Sequence, residues 1–187
     1  MLYRAGPIVE CYSSFVNICE LEYTTIQRSS PIMSIDPDKR EMILRKYEGA
    51  QFTLIILGRK HVSRVVPDEP YIVISITDPN TPDARVAESS LCIDVLRLKF
   101  HDSGDYGQPL RDTVVMTNEH ARSILDFIGK HRDDISTIIC QCEAGMSRSA
   151  GVAAALSHIL QGQNKYFYAN FEPNKWVYRT IIDEHQR

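Results

Sequence analysis

From Gln51 onward, short apolar runs alternate with longer segments of helical periodicity. Four runs are rich in β-branched residues: Phe52 to Leu57 (FTLIIL), Tyr71 to Ile76 (YIVISI), Ile93 to Phe100 (IDVLRLKF) and Ser136 to Cys140 (STIIC). Their lengths, and the Gly, Pro and Asp residues that bound them, predict strands of a buried sheet. Thr117 is placed to cap a helix in which Ala121, Ile124, Leu125 and Ile128 recur on one face. Ser147 to Leu160 is Ala-rich and apolar, and its small side chains suit close approach to a sheet. Pro173 opens a last helix ending near His185, with Trp176, Val177, Tyr178, Ile181 and Ile182 as its core face. Tyr166, Phe167, Tyr168 and Phe171 just before it read as a hydrophobic plug under a loop. Strands alternating with helices require right-handed crossovers and a parallel sheet with helices on both faces. The predicted class is α/β, with a central four- or five-stranded, mostly parallel sheet.

Residues 1–50 are less periodic. Asp36 and Pro37 have the chemistry of a helix N-cap and first helical position. In the stretch that follows, Met42, Ile43 and Tyr47 fall on roughly one helical face. The expected division is an N-terminal extension over 1–50 and a main domain over 51–187.

Composition narrows the class of function. Of the 187 residues 43% are hydrophobic and 24% charged, enough apolar surface for a core without a disulfide or metal staple. With 24 acidic residues against 21 basic ones, bulk charge attracts neither nucleic acid nor an anionic membrane. No apolar run approaches the roughly 20 residues of a bilayer span, and the N-terminal segment lacks a secretory apolar stretch. A soluble, cytoplasmic protein is expected, with no nucleic-acid or membrane partner. Cys11, Cys19, Cys92, Cys140 and Cys142 are odd in number and irregularly spaced, which favours reduced thiols. Cys140 and Cys142 form a Cys-x-Cys pair without a second pair at zinc spacing, so neither a metal nor another cofactor is expected.

The strongest chemical signal is Cys142-Glu143-Ala144-Gly145-Met146-Ser147-Arg148-Ser149, between the strand STIICQ and the apolar helix. A loop from strand end to helix start aims its backbone N–H groups at one point, and the helix dipole adds positive potential there. Such a concavity suits a tetrahedral dianion, held by the amides of Glu143, Ala144, Gly145, Met146, Ser147 and Arg148. Gly145 lets the loop curl around the oxygens, and the Arg148 guanidinium is suited to a two-point grip. The same field stabilises a thiolate, making Cys142 a nucleophile towards phosphorus. Ser149 is placed to donate to the departing sulfur. As a merely buried apolar cysteine, Cys142 would leave the polar residues after it without a purpose. Cys140 is expected to be buried, with a strained Cys140–Cys142 disulfide as its redox alternative.

Cys, five residues, Arg and Ser between strand and helix resemble the phosphate loop of the cysteine-dependent protein tyrosine phosphatases. CEAGMSRS is most similar to the dual-specificity-like branch. LKFHDSGDY upstream and Pro173-Asn174-Lys-Trp-Val-Tyr downstream match that branch's acid loop and last helix. The resemblance runs from about residue 55 to the C-terminus and makes 51–187 the catalytic domain. It implies two-step hydrolysis of a phosphorylated protein or small phosphomonoester, by way of a phosphocysteine and without metal. Cys142 is then the nucleophile, and Asp102 protonates the leaving oxygen before activating water. Asp105, on the same Ser- and Gly-containing loop, is the alternative acid. Asp102 is preferred because it sits nearer the strand end and fits the family's Phe-x-Asp pattern. Gln141 departs from the family, which has His before the nucleophile. An amide keeps hydrogen bonds but carries no charge, so the second reading is a weak or inactive pseudophosphatase that binds phosphoproteins. Glu143, with no Lys in the loop, argues against a polyphosphoinositide substrate. The choice between phosphotyrosine and dual specificity stays open. A sulfurtransferase or arsenate reductase is disfavoured by the loop's late position in the chain, and an RNA triphosphatase by the acidic balance.

Overall fold

The computed structural model describes residues 46–48, 52–104 and 112–187. The strands are β1 (Lys46–Glu48), β2 (Thr53–Gly58), β3 (Tyr71–Thr77), β4 (Cys92–Lys99) and β5 (Thr137–Cys142). They form a 5-stranded sheet in the order β1-β2-β5-β3-β4. β2, β5, β3 and β4 run parallel, and β1 lies antiparallel on β2. The α/β class and the mostly parallel sheet are as expected. The helices are α1 (Arg59–Val62), α2 (Asn118–His131), α3 (Arg148–Gln161), α4 (Lys165–Asn170) and α5 (Lys175–His185).

Every residue of β3 and of β5 is buried, as strands covered on both faces must be. Alternate residues divide between two clusters. Leu54, Ile56, Ile72, Ile74, Ile138 and Cys140 pack with apolar residues of α2, α3, α4 and α5. Ile55, Leu57, Tyr71, Val73 and Ile139 face the other way, where Val62 of α1 and Ala84 cover them. Among the described residues the two faces are unequally clothed: four helices on one, a single helical turn and an irregular segment on the other. Each fully buried Ile or Leu contributes about 1.5–3 kcal/mol, so the all-buried β5 anchors whatever follows it.

Thr117 caps α2 as expected, and the box is closed by His120, whose Nδ1 accepts from Thr117 N at 3.1 Å. Burial holds the His120 pKa below its ordinary value, which keeps the ring neutral and Nδ1 able to accept. Tyr166, Phe167 and Tyr168 lie in the short helix α4 and Phe171 just after it: Phe167 and Phe171 are buried, but Tyr168 is exposed. Tyr47 lies in strand β1, not on a helix. Asp36, Pro37, Met42 and Ile43 lie outside the described residues, as does most of the expected extension.

Candidate active site

The register of the sheet brings the carboxyl ends of its parallel strands together, the place where open α/β sheets bind ligands. Gly58, the last residue of β2, pairs with Cys142, the last of β5. β3 leads into Asp78 and β4 into Phe100, His101 and Asp102. Four strand ends thus deliver the side chains that surround the loop 143–147.

Cys142 is buried, with Gly145 N–H donating to its Sγ at 3.2 Å and Ser149 Oγ at 3.1 Å. The loop can fold back over the sulfur because Gly145 has φ +73°, a conformation that side chains resist. A Cβ there would also lie 2.4 Å from Gly58 N. Ser147 is the N-cap of α3, but its hydroxyl makes no cap bond and donates instead to Asp102 Oδ1 at 2.8 Å. The helix begins directly after it with Arg148 and Ser149, both buried.

Arg148 is held at one edge of its guanidinium. Nη1 donates to Asp78 Oδ1 at 2.7 Å and to the Phe100 carbonyl at 2.6 Å. Its Nε is buried without a hydrogen-bond partner, 4.0 Å from Asp102 Oδ2. A buried, unsatisfied guanidinium N–H costs free energy unless an anion reaches it.

Asp102 stands over the helix start, tied by the Ser147 hydroxyl and by Asn174 Nδ2, which donates to Oδ1 at 2.8 Å. Asn174 also donates to the Ser103 carbonyl at 2.6 Å and accepts from Val177 N at 3.0 Å, capping α5. Its own backbone N–H reaches the Ser147 carbonyl. Asn174 thus joins the Asp102–Ser103 segment, the loop 143–147 and the last helix, the loop through its backbone. His101 is paired with Val114, its backbone N–H donating to the Val114 carbonyl and its Nδ1 accepting from Val114 N. A cleft of about 360 Å³ opens beside Asp102 and Ser147, with Tyr168, Phe171 and Lys175 among its walls.

Of the residues singled out by sequence, Cys142, Gly145, Ser147, Arg148, Ser149 and Asp102 converge on this point. Met146 packs partly against the core, Ala144 is exposed, and Asp105 lies outside the described residues. The Glu143 side chain is engaged by Arg59, at 2.6 Å from Nε and 3.1 Å from Nη2. Gln141 is fully buried; it accepts from Ser75 Oγ at 2.6 Å and donates to the Cys142 carbonyl at 2.7 Å. Burial and the neighbouring Cys142 push the Cys140 thiol well above its ordinary pKa. Asp78 and Arg59 escaped the sequence reading. The only signal for Asp78 was a carboxylate at the carboxyl end of a predicted strand, obscured by the turn chemistry of Asp78-Pro79. Among the described residues no group of three or more His, Cys, Asp or Glu is arranged to hold a metal ion, and no helix is long and apolar enough to cross a membrane.

No protein-family model and no curated protein sequence matches the chain. Solved structures do. The human tyrosine phosphatase-like serine/threonine/tyrosine-interacting protein is similar with a TM-score of 0.53 at 13% identity, over 75% of this chain and 95% of that one. Tk-PTP in its active form is similar with a TM-score of 0.46 at 15% identity, over 75% and 95% of the two chains. A mouse putative dual specificity phosphatase complexed with zinc tungstate gives 0.48 at 14%, over 75% and 86%. The likeness is one of fold: the chain shares the α/β fold of the human tyrosine phosphatase-like protein.

Proposed function

We propose that this protein hydrolyses phosphomonoesters of the protein tyrosine or dual-specificity type through a phosphocysteine at Cys142. The observation that carries the reading is the buried Cys142 Sγ under a Gly145 N–H, with the unpartnered Arg148 Nε and the Asp102 carboxylate on the same rim. The Cys142 thiolate forms the S–P bond as the ester P–O bond breaks, and Asp102, in its acid form, gives its proton to the leaving oxygen. Asp102 then takes a proton from water, whose oxygen displaces the sulfur. Ser149 Oγ, 3.1 Å away, donates to the departing thiolate. Arg148 and the loop amides hold the equatorial oxygens while their charge redistributes.

The test is hydrolysis of p-nitrophenyl phosphate in EDTA by the wild type, Cys142→Ser and Asp102→Asn. Turnover is expected to survive chelation and to disappear in Cys142→Ser. Asp102→Asn should lower kcat by about 10²–10⁴-fold. Wild-type turnover that is unaffected by Cys142→Ser would refute the mechanism. A second reading rests on Gln141, a neutral amide where the resembled family has His: binding of phosphoproteins without turnover. The similar human protein is itself named as phosphatase-like and interacting. Wild type that binds a phosphotyrosine peptide and hydrolyses nothing between pH 5 and 8 would favour it.

A further inference from the structure

The first half of the phosphate loop is braced from a side that neither the mechanism nor the sequence pattern uses. Arg59 begins α1 at the end of β2, and its backbone N–H donates to the Glu143 carbonyl at 3.1 Å. Its guanidinium forks onto the Glu143 carboxylate at 2.6 and 3.1 Å. The same group reaches the Pro82 carbonyl at 2.6 Å and the Asp83 carbonyl at 3.4 Å. Backbone contact below is equally close, since a Cβ on Gly58 would lie 3.0 Å from the Ala144 carbonyl oxygen.

The segment 78–84 is itself pinned. Lys99 holds the Thr81 carbonyl and the Asp83 carboxylate, and Arg97 holds the Ala84 carbonyl. At its start, Asp78 holds Arg148. One irregular segment therefore touches the phosphate loop at both ends, through Asp78 on Arg148 and through Arg59 on Glu143.

We propose that Arg59 is a positioning residue of the phosphate loop, locking Glu143 to the 78–84 segment so that the loop amides are set before the anion arrives. The proposal rests on the phosphomonoester reading above. Isolated surface ion pairs contribute little, but this one is two-pronged, and its cation also satisfies two carbonyls and lies at the junction of three segments. Arg suits that task and Lys does not, because only the planar fork meets both carboxylate oxygens. Pre-set donors are what a phosphate site needs, and misplacement by about 1 Å can cost around 10²-fold in rate.

Charge and positioning predict opposite signs, which makes the test decisive. Binding of tungstate, a phosphate mimic, is measured by calorimetry for the wild type, Arg59→Ala, Glu143→Ala, the double variant and Arg59→Lys. Kinetics on p-nitrophenyl phosphate and amide hydrogen exchange over residues 143–147 are followed in parallel. If Arg59 positions the loop, both single alanine variants weaken tungstate about tenfold, although Glu143→Ala removes a negative charge. The double variant is then no weaker than the worse single, Arg59→Lys behaves like Arg59→Ala, and loop exchange quickens in each. Tighter binding by Glu143→Ala with wild-type affinity in the double variant would overturn the proposal, because the pair would then act by charge alone. So would wild-type affinity and exchange in Arg59→Lys. Wild type that binds no tungstate would refute the phosphate-site reading itself and take the proposal with it.

Discussion

Gln141 shows how much a single buried side chain holds in place. It bridges Ser75 of β3 and the carbonyl of Cys142 across two adjacent strands, with no solvent to substitute for either bond. Gln141→Ala would remove the partner of the Ser75 hydroxyl and of the Cys142 carbonyl and open a cavity beside Cys142. A loss of about 2–4 kcal/mol is expected, measured by urea unfolding; a loss under about 0.5 kcal/mol would mean that the site relaxes around the gap. The residue's identity, and its departure from the resembled pattern, were legible in the sequence. Its partner was not, because Ser75 is distant in the chain and only the β3–β5 register sets the two side by side.

At the scale of elements, the crossing of α3 over α5 sets the place of Asp102, through Asn174. Gly151 is the point of closest approach: a Cβ there would lie 2.8 Å from the Asn174 carbonyl oxygen and 3.1 Å from Val177 Cβ. Gly151→Ala gains about 1 kcal/mol of helix propensity and costs about 1–3 kcal/mol in overpacking, so net stability should change little. The helix must still shift, carrying Asn174 and with it Asp102. We expect kcat on p-nitrophenyl phosphate to fall at least about tenfold while the melting temperature moves only a few degrees. An unchanged kcat would show that Asn174 holds its place independently of the crossing. Strand β4, next to α2, offers a test by pH. Asp94 is held below the usual carboxylate range by the Val95 backbone N–H, then by Lys130 and by His131. A depressed carboxylate stabilises the fold above its unfolded pKa, and that stability is lost as pH falls through the folded value. Asp94→Asn should therefore be less stable than wild type at pH 7, the gap closing below about pH 4; a constant gap would assign the loss to packing.

At the scale of the described residues, the proposed function puts an anion receptor at the carboxyl edge of the sheet, and ligand binding there should be readable as stability. Tungstate at about 100 times its Kd adds roughly 2.7 kcal/mol to the folded state, or about 5–10 °C in melting temperature for a domain of this size. Arg148→Ala should abolish that shift, whereas Cys142→Ser, which keeps the loop amides, should retain it. No shift in the wild type would contradict the receptor.

The sequence by itself determined the four parallel strands, the three longest helices and the class. Strands buried on both faces must be continuously apolar, and a strand, loop and helix around CEAGMSRS write local geometry directly into residue order. Thr117, Gly145 and Pro173 act on their immediate neighbours, so their meaning is local. Only the tertiary structure decided which carboxylate holds Arg148, that Ser147 points at Asp102 instead of capping its own helix, and that Arg59 takes Glu143. Those choices depend on which strand ends lie side by side. The order β2-β5-β3-β4 makes neighbours of residues far apart in the chain, and side chains that meet only through that order leave no periodicity in the sequence.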